Sequence, residues 1–288
     1  MGNSSIRFGA DSMKTKPKIL DIVVNMGFCV GCGICVSLCP KDAIEMKWNA
    51  MGFLEPVQTG ICDVSGICLD VCPFNPEPKS EVRDENRLAK LFLDECTKFH
   101  PKIGHYIGVY AGYSKKFRMT SSAGGLATYV LAELLNQKDV DFVIAIRESE
   151  KSAEYYEYSI CQNTYDLVEA SKTKYFPVTM AGLMSMISRK KGNFAIVGVP
   201  CFIKALRLAQ YTNRILRKRI IFMVGIICGG MKSKFFTEYL ASKAGVIPEN
   251  CSKPQFRIKN INSDANDYAF GCLDLKSLTT KTIIMRMV

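Results

Sequence analysis

The sequence predicts an α+β module followed by an α/β domain with a largely parallel or mixed sheet. Two observations carry this. A cysteine motif repeats with a 33-residue offset inside residues 29–73, and from Gly104 onward strand candidates alternate with helix candidates. The length agrees, since 288 residues at roughly 150 per domain make about two domains. Apolar residues are 48% and charged residues 23% of the chain, a globular balance that excludes a disordered or collagen-like protein.

Residues 1–18 read as a flexible basic tail. They lack the apolar core of a secretory signal, and Ile6 stands where a myristoylation signal has Ser or Thr. Residues 19–80 hold the repeat, with Cys29, Cys32, Cys35 and Cys39-Pro40 in the first copy and Cys62, Ser65, Cys68 and Cys72-Pro73 in the second. Between the copies, Ala43–Trp48 and Gly52–Pro56 read as two short strands joined by a turn. Seven of the 13 cysteines fall in this segment, which argues for metal rather than for disulfides.

The spacing Cys-x-x-Cys-x-x-Cys-x-x-x-Cys-Pro matches the run that holds two cubane clusters in bacterial ferredoxins, and predicts an α+β ferredoxin-like two-cluster domain. Three close thiolates wrap three corners of one cluster, and the fourth points away to the other. Cluster one then uses Cys29, Cys32, Cys35 and Cys72, and cluster two Cys62, Cys68 and Cys39 with position 65. Gly31, Gly33 and Gly66 allow tight turns with free N–H groups near sulfur. A zinc ribbon would use two separated ligand pairs, not two triads each with a remote thiol. Ser65 replaces the thiol that would complete the second triad, and a hydroxyl suits this iron less well than thiolate. The expected cofactors are therefore one 4Fe-4S cluster and a second that is 4Fe-4S, 3Fe-4S or lost.

Residues 81–103 read as a linker and helix with Leu88, Leu91, Phe92 and Leu93 as an apolar stripe. Ile107–Tyr113 reads as a strand and Ser122–Asn136 as a helix opened by Ser121, Ser122, Gly124 and Gly125. Strands are expected at Phe142–Ile146, Phe194–Val199 and Ile220–Ile227. Helices are expected at Thr164–Ser171, Leu183–Lys190, Ile203–Tyr211 and Lys234–Ala244. Tyr155, Tyr156 and Tyr158 suggest an edge strand. The longest apolar run, Ile220–Met231, spans about 18 Å as a helix against the roughly 30 Å of a bilayer core, so no membrane span is expected. Clustered thiols without an export signal point to a reducing, cytoplasmic setting.

Five short motifs stand in order from Gly104 onward: Arg118 to Gly125 after Gly108-Val-Tyr110, Ser171 to Tyr175, Gly198-Val-Pro200-Cys201 with Arg207, Val224 to Gly230, and Gln255 to Lys259. In order and interval they resemble the family of beta subunits of coenzyme F420 hydrogenases and dehydrogenases. The resemblance covers roughly residues 104–272 and implies an FAD-binding α/β domain over 104–288. It implies electron passage between clusters and a deazaflavin-type small molecule, a ferredoxin or another redox partner protein, and a place in a larger redox complex. Family members carry a later Cys-x-x-Cys pair that joins cysteines comparable to Cys201 and Cys228 around a cluster. That pair is missing here, so the domain reads as shortened or diverged at its C-terminus and these two thiols as buried and inert.

The expected cofactor-binding residues are Ser121, Ser122, Gly124, Gly125, Lys172, Lys174, Tyr175, Gly198 and Pro200. Hydroxyls and N–H groups at a helix start could hold a phosphate, although a plain helix cap fits the same residues. Lys172 and Lys174 could neutralise a pyrophosphate or form a solvated loop. Gly198 and Pro200 follow a strand end, where open α/β sheets hold ligands. No Gly-x-Gly-x-x-Gly occurs, so a Rossmann NAD site is not supported. The run Arg214 to Arg219 reads as a solvated or partner-docking face, with no nucleic-acid-binding signature beside it. With two histidines and no evident acid–base residue, no catalytic side chain is assigned. The function expected is that of an iron–sulfur flavoprotein oxidoreductase, with a non-catalytic electron-transfer subunit as the alternative. Charge divides with the modules: residues 29–80 carry 3 basic and 6 acidic residues, net −3, and residues 104–288 carry 26 and 14, net +12.

Overall fold

A left-handed glycine opens each short helix of the cysteine repeat. In the computed structural model, which describes residues 15–93, 98–149, 154–260, 262 and 267–286, Gly33 (φ 74°) precedes α1 (Ile34–Ser37) and Gly66 (φ 77°) precedes α2 (Ile67–Asp70). The same backbone bonds recur at an offset of 33: Ser37 N to Gly33 O and Asp70 N to Gly66 O, then Cys39 N to Val36 O and Cys72 N to Leu69 O. The sequence repeat is thus a structural repeat. Between its halves β1 (Ile44–Trp48) and β2 (Leu54–Gln58) pair antiparallel, as expected. Their turn is held by Asn49 Oδ1, which accepts from the N–H groups of Met51 and Phe53 at 3.0 Å. Order begins before the expected end of the tail: Thr15 Oγ1 donates to Cys62 O at 2.5 Å, and Gln58 Nε2 donates to Thr15 O at 3.1 Å.

The linker is packed. Asp84 caps α3 (Glu85–Phe92) by accepting from Arg87 N, and Leu88 buries against Val82 and Leu208. Glu85 pairs with Lys204 at 2.7 Å. Within the linker and helix expected over 81–103, the described residues form the helix α3, and β3 (Lys98–His100) then pairs with β4 (Gly104–Tyr106). Cys96 lies outside the described residues. The strand expected over 107–113 is not formed, since no described strand pairs with it and Val109 (73%) and Tyr110 (92%) stay exposed. The helix expected from Ser122 starts later, as α4 (Leu126–Asn136), because Gly125 at its N-cap is left-handed.

The remaining elements follow the expected alternation. They are β5 (Phe142–Glu148), β6 (Tyr156–Cys161), α5 (Thr164–Ala170), α6 (Leu183–Arg189), β7 (Phe194–Gly198), α7 (Pro200–Thr212), α8 (Arg214–Arg219), β8 (Ile220–Gly225) and α9 (Lys234–Lys243). The four-stranded sheet has the order β6-β5-β7-β8, with β5, β7 and β8 parallel and the tyrosine strand β6 antiparallel at the edge. Phe194, Ile144 and Ile196 are fully buried in it. Helix α8 was not assigned from sequence: the basic run coils with Asn213 Oδ1 capping Ile215 and Leu216, and Arg214, Arg217 and Lys218 stay exposed. Its last residue, Arg219, points inward to the carbonyls of Gly192, Ile187 and Lys190. A second sheet was not foreseen. Strands β9 (Cys251–Lys259), β10 (Asp267–Asp274) and β11 (Thr279–Arg286) form an antiparallel meander, which packs Phe256 and Phe270 into the main core.

Candidate functional site

The seven repeat cysteines lie within electrostatic reach of one another. Cys29 and Cys72 act on Cys32, and Cys29, Cys32, Cys72 and Cys68 act on Cys35. Cys68 feels Cys62 and Cys39, and itself acts on Cys72. Burial, reinforced by neighbouring thiolates, pushes Cys32 up to about 12 and Cys72 to about 11. Backbone N–H groups aim at sulfur: Ala43 N lies 3.3 Å from Cys39 Sγ, Val64 N lies 3.3 Å from Cys62 Sγ, and the Gly31 N–H serves Cys29. Thiols gathered within reach of one another and amides that favour thiolate fit the chemistry of the clusters the spacing implies, while among the described residues no three donors converge on a single metal-ion position. Ser65 sits on the exposed rim with its N–H on Asp63 Oδ1 at 3.1 Å.

Cluster-one residues face the α/β domain. Met180 N donates to Cys32 O at 2.8 Å, and Met184 N donates to Ser37 Oγ at 3.0 Å. A Cβ on Gly33 would lie 1.9 Å from Thr179 Oγ1, so only glycine lets the two surfaces meet. Trp48 stands edge-on to Phe176 with ring centroids 5.5 Å apart, and Phe176 touches Tyr155 and Tyr156 in the same way. Cys201, in the first turn of α7, influences Cys32 on one side and feels Cys228 on the other. The reading of Cys201 and Cys228 as buried thiols is corrected, because Cys201 is half-buried and Cys228 is exposed in the segment that follows β8.

The expected cofactor residues fall in two places. Gly198 ends β7 against Met180, Phe202 and Ile203, with Pro200 starting α7; this corner adjoins Cys201. Ser121, Ser122, Gly124 and Gly125 lie instead beside the Lys172–Lys174 segment. Both serines are buried and engaged internally: Ser121 Oγ lies 3.4 Å from Thr128 Oγ1, and Ser122 Oγ accepts from Thr173 N at 2.8 Å. A Cβ on Gly125 would meet the Phe117 carbonyl carbon at 2.7 Å. Lys174 Nζ donates to the carbonyls of Ala170 (2.9 Å), Lys172 (3.3 Å) and Ser171, which holds the end of α5. Burial, and then the charge of Lys172, lower its pKa to about 8. Tyr175 packs edge-on between Phe236 and Phe256.

A cavity of about 260 Å³ opens between these segments and β9, lined among others by Thr120, Glu148, Lys172, Lys174 and Gln255. Lys172, in a left-handed conformation (φ 72°), donates to Gln255 Oε1 at 3.0 Å across it. Ligand pockets run from about 300 to 1,000 Å³, so it suits part of a dinucleotide rather than the whole. Gly198 and Pro200 do not line it. The β9 residues Gln255, Arg257 and Lys259 were not assigned to the site from sequence, though they form the last of the five motifs. Among the described residues, no helix is long and apolar enough to cross a membrane.

Three family profiles match. One described as "4Fe-4S binding domain" covers residues 22–45. "Coenzyme F420 hydrogenase/dehydrogenase, beta subunit N-term" covers 109–185, and its C-terminal counterpart covers 191–280. Among curated proteins, the F subunit of F(420)H(2) dehydrogenase from Methanosarcina mazei is 24% identical over 81% of this chain and 60% of its own length. Coenzyme F420-dependent sulfite reductase of Methanocaldococcus jannaschii is 26% identical over 67% of this chain and 27% of its own length. The chain thus spans less than two thirds of either relative. A chain of the F420-reducing NiFe hydrogenase complex from Methanosarcina barkeri superposes with a TM-score of 0.46 at 18% identity, covering 65% of this chain and 63% of that one. With both halves of the beta-subunit profile matched in order behind a 4Fe-4S binding domain, the chain belongs to the family of coenzyme F420 hydrogenase/dehydrogenase beta subunits.

Proposed function

We propose that this chain is an iron–sulfur flavoprotein subunit that passes electrons between two ferredoxin-type clusters and FAD, in exchange with a deazaflavin-type small molecule or a redox partner protein. The observation that carries the reading is the seating of the Cys32 segment on the α/β domain, where Met180 N donates to Cys32 O at 2.8 Å and Cys201 is near enough for its charge to act on Cys32. Clusters move single electrons and a flavin joins such carriers to two-electron substrates.

The chain's own residues supply the surroundings. Cys29, Cys32, Cys35 and Cys72 would hold one 4Fe-4S cluster. Cys39, Cys62 and Cys68 would hold the second, with Ser65 leaving one corner without a thiolate. Ile34, Val71 and Met180 exclude water around the inner group, which keeps its electrostatics strong. The cavity beside Lys172 and Gln255 would take part of the flavin. The small cavity also favours a second reading, a cluster-bearing subunit without flavin that relays electrons inside a larger complex.

Anaerobic purification, iron and sulfide quantitation, low-temperature EPR and acid release of flavin test both readings. About seven to eight irons with one FAD per chain is the expected result. A full set of irons with no FAD affinity after reconstitution would leave the relay reading. Iron below about three per chain would overturn both.

A further inference from the structure

Three tyrosines stand at the edge strand β6, and their hydroxyls are used differently. Tyr155 donates to Pro248 O at 3.5 Å, and Tyr156 donates to Pro254 O. Tyr158 shares a face with Tyr156, since strand residues two apart point the same way, and both are buried. Its hydroxyl forms no hydrogen bond to a described residue, although buried tyrosine hydroxyls ordinarily find a partner. Ring packing accounts for the aromatic body, and a phenylalanine would serve it as well. The hydroxyl is what needs a role.

The surroundings of Tyr158 come from both modules. Its ring lies 6.4 Å from Phe202, the residue after Cys201 in the first turn of α7. Cys32 and Cys201 pack against the buried cluster that holds Tyr158, Phe202, Met180 and Ile34. The charges that reach the Tyr158 hydroxyl are those of Cys201 and Cys32. Burial, and then these two charges, hold its pKa above the usual phenol value, so it keeps its proton and stays a donor. The influence is mutual: a sulfur charge that acts on the phenol is acted on by the O–H dipole, with little screening in a buried seam. A hydroxyl proton rotates to suit its surroundings, and with no acceptor holding it, it turns toward the nearest negative charge. A 4Fe-4S cluster on Cys32 carries one more negative charge when reduced. The dipole therefore stabilises the reduced form more than the oxidised one, as hydrogen bonds to cluster sulfur do.

We propose that Tyr158 tunes cluster one from the α/β side: its O–H dipole, presented across the seam to Cys32, raises the reduction potential of that cluster. The inference deepens the reading that Cys29, Cys32, Cys35 and Cys72 hold a 4Fe-4S cluster, and rests on it. Tyr158 is a positioning residue here. The cluster takes up one electron, and no bond or proton changes at the phenol. Docking on the α/β domain thus sets the energy of the cluster as well as its place, through a residue that lies outside the cysteine repeat.

The test is an EPR-monitored redox titration of the full cluster-loaded chain, with dithionite as reductant. Wild type is compared with Tyr158→Phe and, as control, Tyr155→Phe, whose hydroxyl faces Pro248. Tyr158→Phe is expected to make reduction of cluster one roughly tenfold less favourable, a downward shift of about 59 mV for one electron. Iron content and the potential of the second cluster should stay unchanged, and Tyr155→Phe should match wild type. Should Tyr158→Phe lose iron, 3-fluorotyrosine placed at position 158 serves instead. It is a stronger donor of nearly the same size and should shift the potential upward. An unmoved potential for cluster one in the iron-loaded variant would overturn the inference, as would an equal shift in Tyr155→Phe. Absence of a reduced 4Fe-4S signal in wild type would instead overturn the reading that the four cysteines hold a cluster.

Discussion

The N–H of Val64 reaches Cys62 Sγ at 3.3 Å only because Val64 adopts a left-handed backbone, φ 56°. Gly31 occupies the equivalent place in the first repeat with φ 70°, and its N–H serves Cys29. A β-branched residue in this region is strained by about 1–2 kcal/mol. The second loop therefore keeps the shape of the first against its own sequence.

Val64→Gly should relieve that strain. After the extra flexibility of glycine in the unfolded chain, the net gain is about 0.5–1 kcal/mol, read from the denaturant midpoint of cluster-loaded protein. Gly31→Ala should do the opposite, since its Cβ would meet Leu54 O at 2.6 Å. Equal losses in both variants would mean that Val64 is not strained by its conformation.

Ser65→Cys should complete the second triad. Ser65 is exposed beside Asp63, so a thiol there meets no steric obstacle in the described structure. Iron per chain should rise by about one if the native second cluster is 3Fe-4S, with loss of the EPR signal that such a cluster gives when oxidised. Unchanged iron and spectrum would mean that the native corner already holds iron or that the second cluster is absent.

The contact between the modules rests on one missing methyl. Gly33→Ala puts Cβ at 1.9 Å from Thr179 Oγ1 and 2.8 Å from Ala181 N, at φ 74°. We expect a loss on the order of 3 kcal/mol and easier proteolysis between the modules. Adding Thr179→Ala should recover only part, because the Ala181 backbone remains in the way. Full recovery would assign the whole cost to the hydroxyl.

The cysteine repeat was legible because metal-ligand spacing is fixed by chemistry, and the glycines followed from the turns that spacing demands. The parallel strands were legible as short apolar runs between turn residues. Strand 107–113 failed because alternation cannot say whether a partner exists to bury it; Tyr110 is 92% exposed. The C-terminal meander was missed because its β9 carries Lys253, Pro254 and two bulges, which obscure a period of two. Ser121 and Ser122 stood out as free hydroxyls at a helix start, but their partners, Thr128 and Thr173, are set by tertiary packing. Lys259 donates to Arg118 O and Ala123 O across more than 130 residues of sequence, so only the fold could join it to that loop.

Lys174 gives the fold a pH dependence of definite sign. Its ammonium binds three carbonyls, yet burial and Lys172 lower its pKa from 10.5 to about 8. Between these values the unfolded chain binds a proton that the folded chain does not, so stability rises with pH across that window. Below about pH 8 both states are charged and the burial cost is fully present; above about pH 10.5 both are neutral and it is gone. The difference is at most about 3 kcal/mol. Lys174→Met should abolish this rise while losing the carbonyl contacts at the end of α5. Urea denaturation of wild type and variant at about pH 7.5 and about pH 9.5 measures it: wild type should gain stability relative to the variant at the higher pH. A difference that stays constant would mean that Lys174 keeps an ordinary proton affinity and that its three carbonyls outweigh its burial.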